Sequence, residues 1–226
     1  MSGSQPPCEC CKFAKGPDFT QEGSSLALPR SPVRSIEEYL TEERASLDRH
    51  EYLDGQVYLM AGESLQHSQI CVNISREIST QLKDRDCQVL SPNMKVKTGD
   101  SRLFSYPDVT VVCGQPLFHD AQTDVLINPV IIIEVLSPST EAYDRGEKFF
   151  RYRGFLPSLM EYLLVSQHRP LVERYVRQGD GQWLCLFVEG LSQRVDINAI
   201  GCPIELSEIY SRVNFPEGAL PSPDGR

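Results

Sequence analysis

The chain has 226 residues, 40% of them hydrophobic and 23% charged, and carries a formal net charge of −9 at pH 7. That profile fits one globular domain with tails and argues against a membrane-spanning chain, because apolar runs such as Val130 to Ile133 fall far short of the ~20 residues of a helical span. The acidic balance also argues against a broad nucleic-acid surface: "KDRD", "KVK" and "DRGEKFFRYR" are mixed with acids and read as solvated faces, or at most as a local basic strip.

Residues 1–33 are rich in Pro, Gly, Ser and Cys, lack apolar periodicity and read as a disordered tail. They contain no apolar secretory core, so a cytoplasmic location is expected. "CECC" at Cys8, Cys10 and Cys11 has no second Cys/His pair to complete a zinc site and reads as an oxidisable tail. Cys71, Cys87, Cys113, Cys185 and Cys202 lie in apolar stretches and read as buried thiols.

The folded domain is expected over 34–212, followed by a flexible tail over 213–226. "SIEEYLTEER" opens with Ser35 and Glu38 in capping-box spacing and predicts a short helix. "EYLDGQVYLMAG" alternates around Asp54-Gly55, as a strand or hairpin does. Leu65, Ile70, Ile74, Ile78 and Leu82 form the stripe of a long amphipathic helix. "CQVLSPNMKVK", "YPDVTVVC" and "PVIIIEVL" read as strands, and "EAYDRGEKFFRYRG" as a helix whose regular part starts near Asp144 and stops at Gly154. "SLMEYLLVS", "PLVERYVRQ" and "QWLCLFVEG" are further strands, and "IELSEIYSRV" a closing short helix. The fold class is therefore α/β (α+β), a mixed β-sheet flanked by helices.

Glu134 is one carboxylate in an apolar run, and Asp108 another. Period two places Asp108 with Thr110 and Val112, and Glu134 with Ile132 and Leu136, so neighbouring strands would bring the two acids together. Two carboxylates in a partly dry site repel unless a cation lies between them, and oxygen ligands suit Mg²⁺ or Mn²⁺ better than Zn²⁺. The bland alternative is a strand-end Asp108 and a Glu134 paired with an arginine.

Pro107-Asp108, then Glu134 after an apolar strand, resembles the PD-(D/E)XK nuclease signature, except that Leu136 stands where the signature has lysine. Glu51 with "YLDGQVYLMAGES", His67, "YPDVTVV", "IIIEVLSPST", "DRGEKFFRY" and "MEYLLV" resemble the Uma-type restriction-endonuclease family of that superfamily, from about Ile36 to Tyr210. The resemblance implies a restriction-endonuclease-like fold, a divalent metal and cleavage of DNA. By it, Asp108, Glu134 and the Val135 carbonyl would hold the metal, and Lys148 would replace the missing lysine, orienting water or binding the scissile phosphate. Against that role stands a solvated Asp144–Lys148 pair on a helix surface. Glu51 would reach the metal through water or be a turn-flanking acid; His67 would touch phosphate or be a satisfied helix histidine. Tyr152 and Tyr162 are expected to pack on the sheet with hydroxyls near the site edge. Two readings follow: a Mg²⁺-dependent DNA endonuclease, with a homodimer as the default assembly for cutting both strands, or a catalytically inactive nucleic-acid-binding or interaction module. Leu136 and the net charge favour the second; Asp108, Glu134 and Lys148 together favour the first.

Overall fold

The computed structural model describes residues 33–215, so the expectations for residues 1–32, with their cysteine cluster, and for 216–226 lie outside the described residues. The first helix, α1 (Ile36–Ala45), begins with the expected capping box: Ser35 Oγ accepts from the Glu38 N–H and the Glu38 carboxylate from the Ser35 N–H. Strands β1 (His50–Leu53) and β2 (Gln56–Leu59) form a hairpin on Asp54-Gly55. Both turn residues have positive φ, 50° and 91°, as a two-residue turn with right-handed strand twist requires.

Helix α2 (Leu65–Leu82) buries Ile70, Ile74, Ile78 and Leu82 as expected. Leu65 does not join them: five residues turn a helix about 140° past the stripe, and Leu65 is 70% exposed. His67 and Asn73 are buried in its stead.

"CQVLSPNMKVK" is two strands, β3 (Cys87–Leu90) and β4 (Lys95–Thr98), which enter different sheets. β5 (Leu103–Ser105), β6 (Val109–Cys113), β7 (Val125–Leu126) and β8 (Ile131–Leu136) follow. Helices α3 (Glu141–Tyr143) and α4 (Phe149–Phe155) are joined by a π-helical stretch, Asp144–Lys148. The helix thus begins at Glu141, before Asp144, and runs through Gly154. β9 (Glu161–Ser166), β10 (Leu171–Arg177), β11 (Trp183–Glu189), β12 (Arg194–Ile197), β13 (Cys202–Glu205) and α5 (Leu206–Ile209) complete the order.

The strands form two mixed sheets and a ribbon where one sheet was expected. The five-stranded sheet runs β2-β1-β5-β4-β7, the six-stranded sheet β11-β10-β9-β8-β6-β3, and β12 pairs with β13. Strand β8 is buried along its whole length, and period two divides it. Ile131, Ile133 and Val135 face α2, α5 and the ribbon in one core. Ile132 and Leu136 face a second core with Val96 and Leu103 of the five-stranded sheet and Phe149 and Tyr152 of α4. Each such side chain contributes roughly 1.5–3 kcal/mol by leaving water. Val213 and Phe215 pack on the first core, the Phe215 ring 5.2 Å from Tyr210.

The cysteines depart from the expected set of free thiols. The β3–β6 register places Cys87 directly opposite Cys113, and the two are joined as a disulfide. Cys71, Cys185 and Cys202 are free, and only Cys202 of these is fully buried. Among the described residues, no helix is long and apolar enough to cross a membrane.

Candidate active site

Antiparallel pairing of β6 with β8 sets Val109 against Ile133, which carries Asp108 to the level of Glu134. The Asp108 N–H points to Glu134 Oε2 at 3.4 Å, and Asp108 Oδ2 accepts from the Val135 N–H at 2.7 Å. Glu134 is buried, whereas Asp108 keeps contact with solvent. Both line a cleft of about 1110 Å³, together with Glu51, His67, Val135, Asp144 and Lys148.

Lys148 reaches this point from the helical segment after β8. Its ammonium lies 3.2 Å from Glu51 Oε1, from Glu134 Oε1 and from Asp144 Oδ1. Lys148 is 5% exposed, so the expected solvated pair with Asp144 does not describe it. The π-helical stretch turns Asp144 and Lys148 inward together, a distortion common where side chains serve a site. Leu136, at the place of the signature's lysine, packs in the second core beside Phe149 and Tyr162. An ammonium there would be buried in apolar surroundings.

Around this centre, Tyr152 donates its hydroxyl to Glu134 Oε1 at 3.3 Å and shares a 2.8 Å bond with Ser105 Oγ. The Tyr162 hydroxyl donates to the Asp144 carbonyl at 3.1 Å. Glu51 Oε1 also accepts from the Tyr106 N–H at 3.3 Å. His67 approaches from α2, with Nε2 3.2 Å from Asp108 Oδ2 and Nδ1 3.6 Å from Glu63 Oε2. Every residue singled out as a site candidate in the sequence therefore lies in this cluster or at its edge.

Charge is unevenly matched here. Burial raises the Glu134 carboxyl well above its ordinary value; Lys148 opposes the rise, and Asp144, Asp108 and Glu51 add to it. Burial disfavours the Lys148 ammonium, but Glu134, Glu51, Tyr152 and Asp144 outweigh that, so its pKa is raised and it stays charged. One ammonium shared by several acids leaves Glu134 holding its proton more tightly than a free carboxyl does. Burial likewise works against a charged His67, yet contact with Asp108, then Glu63 and the Val135 carbonyl, raises the imidazole above its ordinary value.

Carboxylate and carbonyl oxygens of the kind offered by Asp108, Glu134 and Val135 suit a hard cation such as Mg²⁺ or Mn²⁺, and the surplus of acids over Lys148 would be relieved by one. His67, Cys71 and Asp108 also lie close enough to suggest a softer metal. Their ligand atoms lie within 4.8 Å of one another, but around two sides of the ring: Cys71 Sγ is 3.5 Å from His67 Nδ1, and Asp108 Oδ2 is 3.2 Å from Nε2. Burial pushes the Cys71 thiol up, and the neighbouring Asp108, Glu63 and Glu134 add to the rise. In sequence Cys71 reads only as a buried thiol, although it stands four residues after His67 on one face of α2; Glu63, which precedes the Ser64 cap of that helix, gives no such signal.

The family model described as "Uma2: Putative restriction endonuclease" matches residues 36–207. Among curated proteins, the Synechocystis sp. protein described as "Uncharacterized protein slr1290" is 38% identical over 184 residues, 81% of this chain and 95% of that protein. "Uncharacterized protein sll1609" from the same organism is 31% identical over 173 residues, 76% of this chain and 97% of that protein. The solved structure of a "putative nuclease belonging to DUF820" from Anabaena variabilis ATCC 29413 superposes with a TM-score of 0.64 at 16% identity, covering 77% of this chain and 96% of that one. That likeness extends to the fold.

Proposed function

The chain belongs to the Uma2 family, and from that premise we propose that it is a divalent-metal-dependent endonuclease hydrolysing phosphodiester bonds in DNA at the centre of Asp108, Glu134 and Lys148. The observation that carries this reading is the placement of one buried ammonium, Lys148, within 3.2 Å of Glu51, Glu134 and Asp144, with Asp108 at the level of Glu134 in an open cleft.

Asp108, Glu134 and the Val135 carbonyl would hold a Mg²⁺ or Mn²⁺. When bound, such an ion activates water and offsets the negative charge that builds up on the phosphate. The protein's own groups do the rest. Lys148 presents a permanently charged ammonium to the scissile phosphate or to the attacking water, and Glu51 and Asp144 hold it there. Tyr152 fixes one oxygen of Glu134, and the Val135 N–H and His67 fix one oxygen of Asp108, so neither acid has to reorganise during the reaction. Hydrolysis adds water across one P–O bond, leaving a phosphate monoester on one fragment and a hydroxyl on the other. Cutting both strands calls for two copies of the centre, so a homodimer on DNA belongs to this proposal.

The test is cleavage of plasmid and of single- and double-stranded oligonucleotides with Mg²⁺ or Mn²⁺. Wild-type protein should cut, EDTA should abolish cutting, and Asp108→Asn should lower the rate by about a hundredfold or more, roughly 3 kcal/mol of barrier. DNA binding without cleavage under every metal condition would replace the reading with an inactive nucleic-acid-binding module.

A further inference from the structure

Alternate residues at the start of the hairpin, Arg49, Glu51 and Leu53, line the cleft. Arg49 is a different kind of cation from Lys148. Its Nη1 donates to the Pro92 carbonyl at 3.1 Å, and its guanidinium carbon lies 5.9 Å from the centre of the Tyr106 ring. Its own carbonyl accepts from the Met60 N–H at 2.9 Å, which extends the hairpin pairing by one step. Tyr106 is itself fixed, with its hydroxyl donating to Glu43 at 2.6 Å and its N–H directed to Glu51.

Among the described residues, no carboxylate oxygen lies within 4.0 Å of the Arg49 guanidinium. Lys148 has three such partners, and His67 faces Asp108 and Glu63. A guanidinium keeps its charge at any ordinary pH and has five N–H donors in a fixed fork. Among the described residues, Arg49 therefore brings to an acid-lined cleft a held cation with no carboxylate in contact, and with most of its donors free of partners.

We propose that Arg49 binds a non-scissile phosphate of the nucleic-acid strand, next to the scissile one, and so sets the register of the strand on the Asp108–Glu134–Lys148 centre. The proposal rests on the nuclease reading above and adds a substrate contact to it. Arg49 and Glu51 are two residues apart on one extended face, roughly 6.6 Å along the strand, a distance on the scale of one nucleotide step. The contact positions substrate and takes no part in bond breaking.

The experiment compares wild type, Arg49→Ala, Arg49→Gln and Arg49→Lys on a short fluorescein-labelled DNA strand, alone and as a duplex. Binding is followed with Ca²⁺ over a range of salt, and cleavage with Mg²⁺. In Arg49→Ala and Arg49→Gln, KM and Kd should rise about tenfold or more while kcat changes little. The slope of log Kd against log salt should fall by about 0.7 for a single strand or 0.9 for a duplex, the signature of one lost phosphate contact. Arg49→Lys should restore the slope and only part of the affinity. A wild-type slope and KM in whichever neutral variant folds would overturn the role of Arg49. If the wild type binds DNA but cuts none, the nuclease reading fails and the salt slopes still decide the phosphate contact. If the wild type binds no DNA, both fail.

Discussion

Lys148 Nζ and Glu134 Oε1 lie 3.2 Å apart with both side chains almost shut off from solvent. Two residues far apart in sequence are thereby locked into one electrostatic unit, which Glu51 and Asp144 complete. Replacing Lys148 with Met keeps much of the packing but strands three carboxylates in a dry site. Breaking a buried pair in this way costs about 3–5 kcal/mol. Urea unfolding of metal-free Lys148→Met should show a loss of that size, and metal-dependent cleavage should fall by about a hundredfold or more. A variant of wild-type stability would mean that Lys148 is solvated after all; one of wild-type rate would remove it from the mechanism.

Glu134 should act in the opposite direction on stability. Its carboxyl is raised above the ordinary 4.5 by burial and by the neighbouring acids. The folded state therefore binds that proton more tightly than the unfolded state does. The resulting stability is fully present below 4.5 and is lost as pH rises through the raised value. Metal-free wild type should weaken across that window, whereas Glu134→Gln should not and should be the more stable near pH 8, by on the order of 1–2 kcal/mol. Urea midpoints at several pH values measure this, and identical pH profiles for the two proteins would contradict it. Metal binding must displace the same proton, so affinity for Mn²⁺ should increase with pH.

The Cys87–Cys113 link ties the edge strand β3 to β6, the strand that Asp108 precedes. It closes a loop with a sequence separation of 26 residues. Chain entropy assigns such a link about 3.5 kcal/mol of stability. Non-reducing peptide mapping should recover the two cysteines joined, and reduction should lower stability by about that amount. Peptides recovered with both thiols free would contradict the pairing.

The readable part of the fold lies where local chemistry and period agree. Ser35 and Glu38 announce a helix start, Asp54-Gly55 a two-residue hairpin turn, and the lone acids Asp108 and Glu134 a shared face on neighbouring strands. Other features depend on distant partners. Four-residue spacing makes Asp144 and Lys148 look like a surface pair, and only the π-helical stretch packed against β8 and β1 turns them inward. β5 and β7, three and two residues long, are too short to show a period. Splitting Cys87–Leu90 from Lys95–Thr98, and pairing Cys87 with Cys113, are decided by which sheet each strand joins. Arg49 is similarly silent in sequence, because nothing in "DRHE" tells which groups its guanidinium meets in the fold.

The most direct measurement is an anomalous difference map from crystals soaked in Mn²⁺ at pH 8. A metal centre of the proposed kind should give one dominant peak coordinated by Asp108, Glu134 and the Val135 carbonyl, with the Lys148 ammonium close by but outside the coordination sphere. The same peak should vanish in Asp108→Asn. No peak at this place at saturating Mn²⁺, or ordered Mn²⁺ only at surface carboxylates, would contradict a metal-dependent centre here.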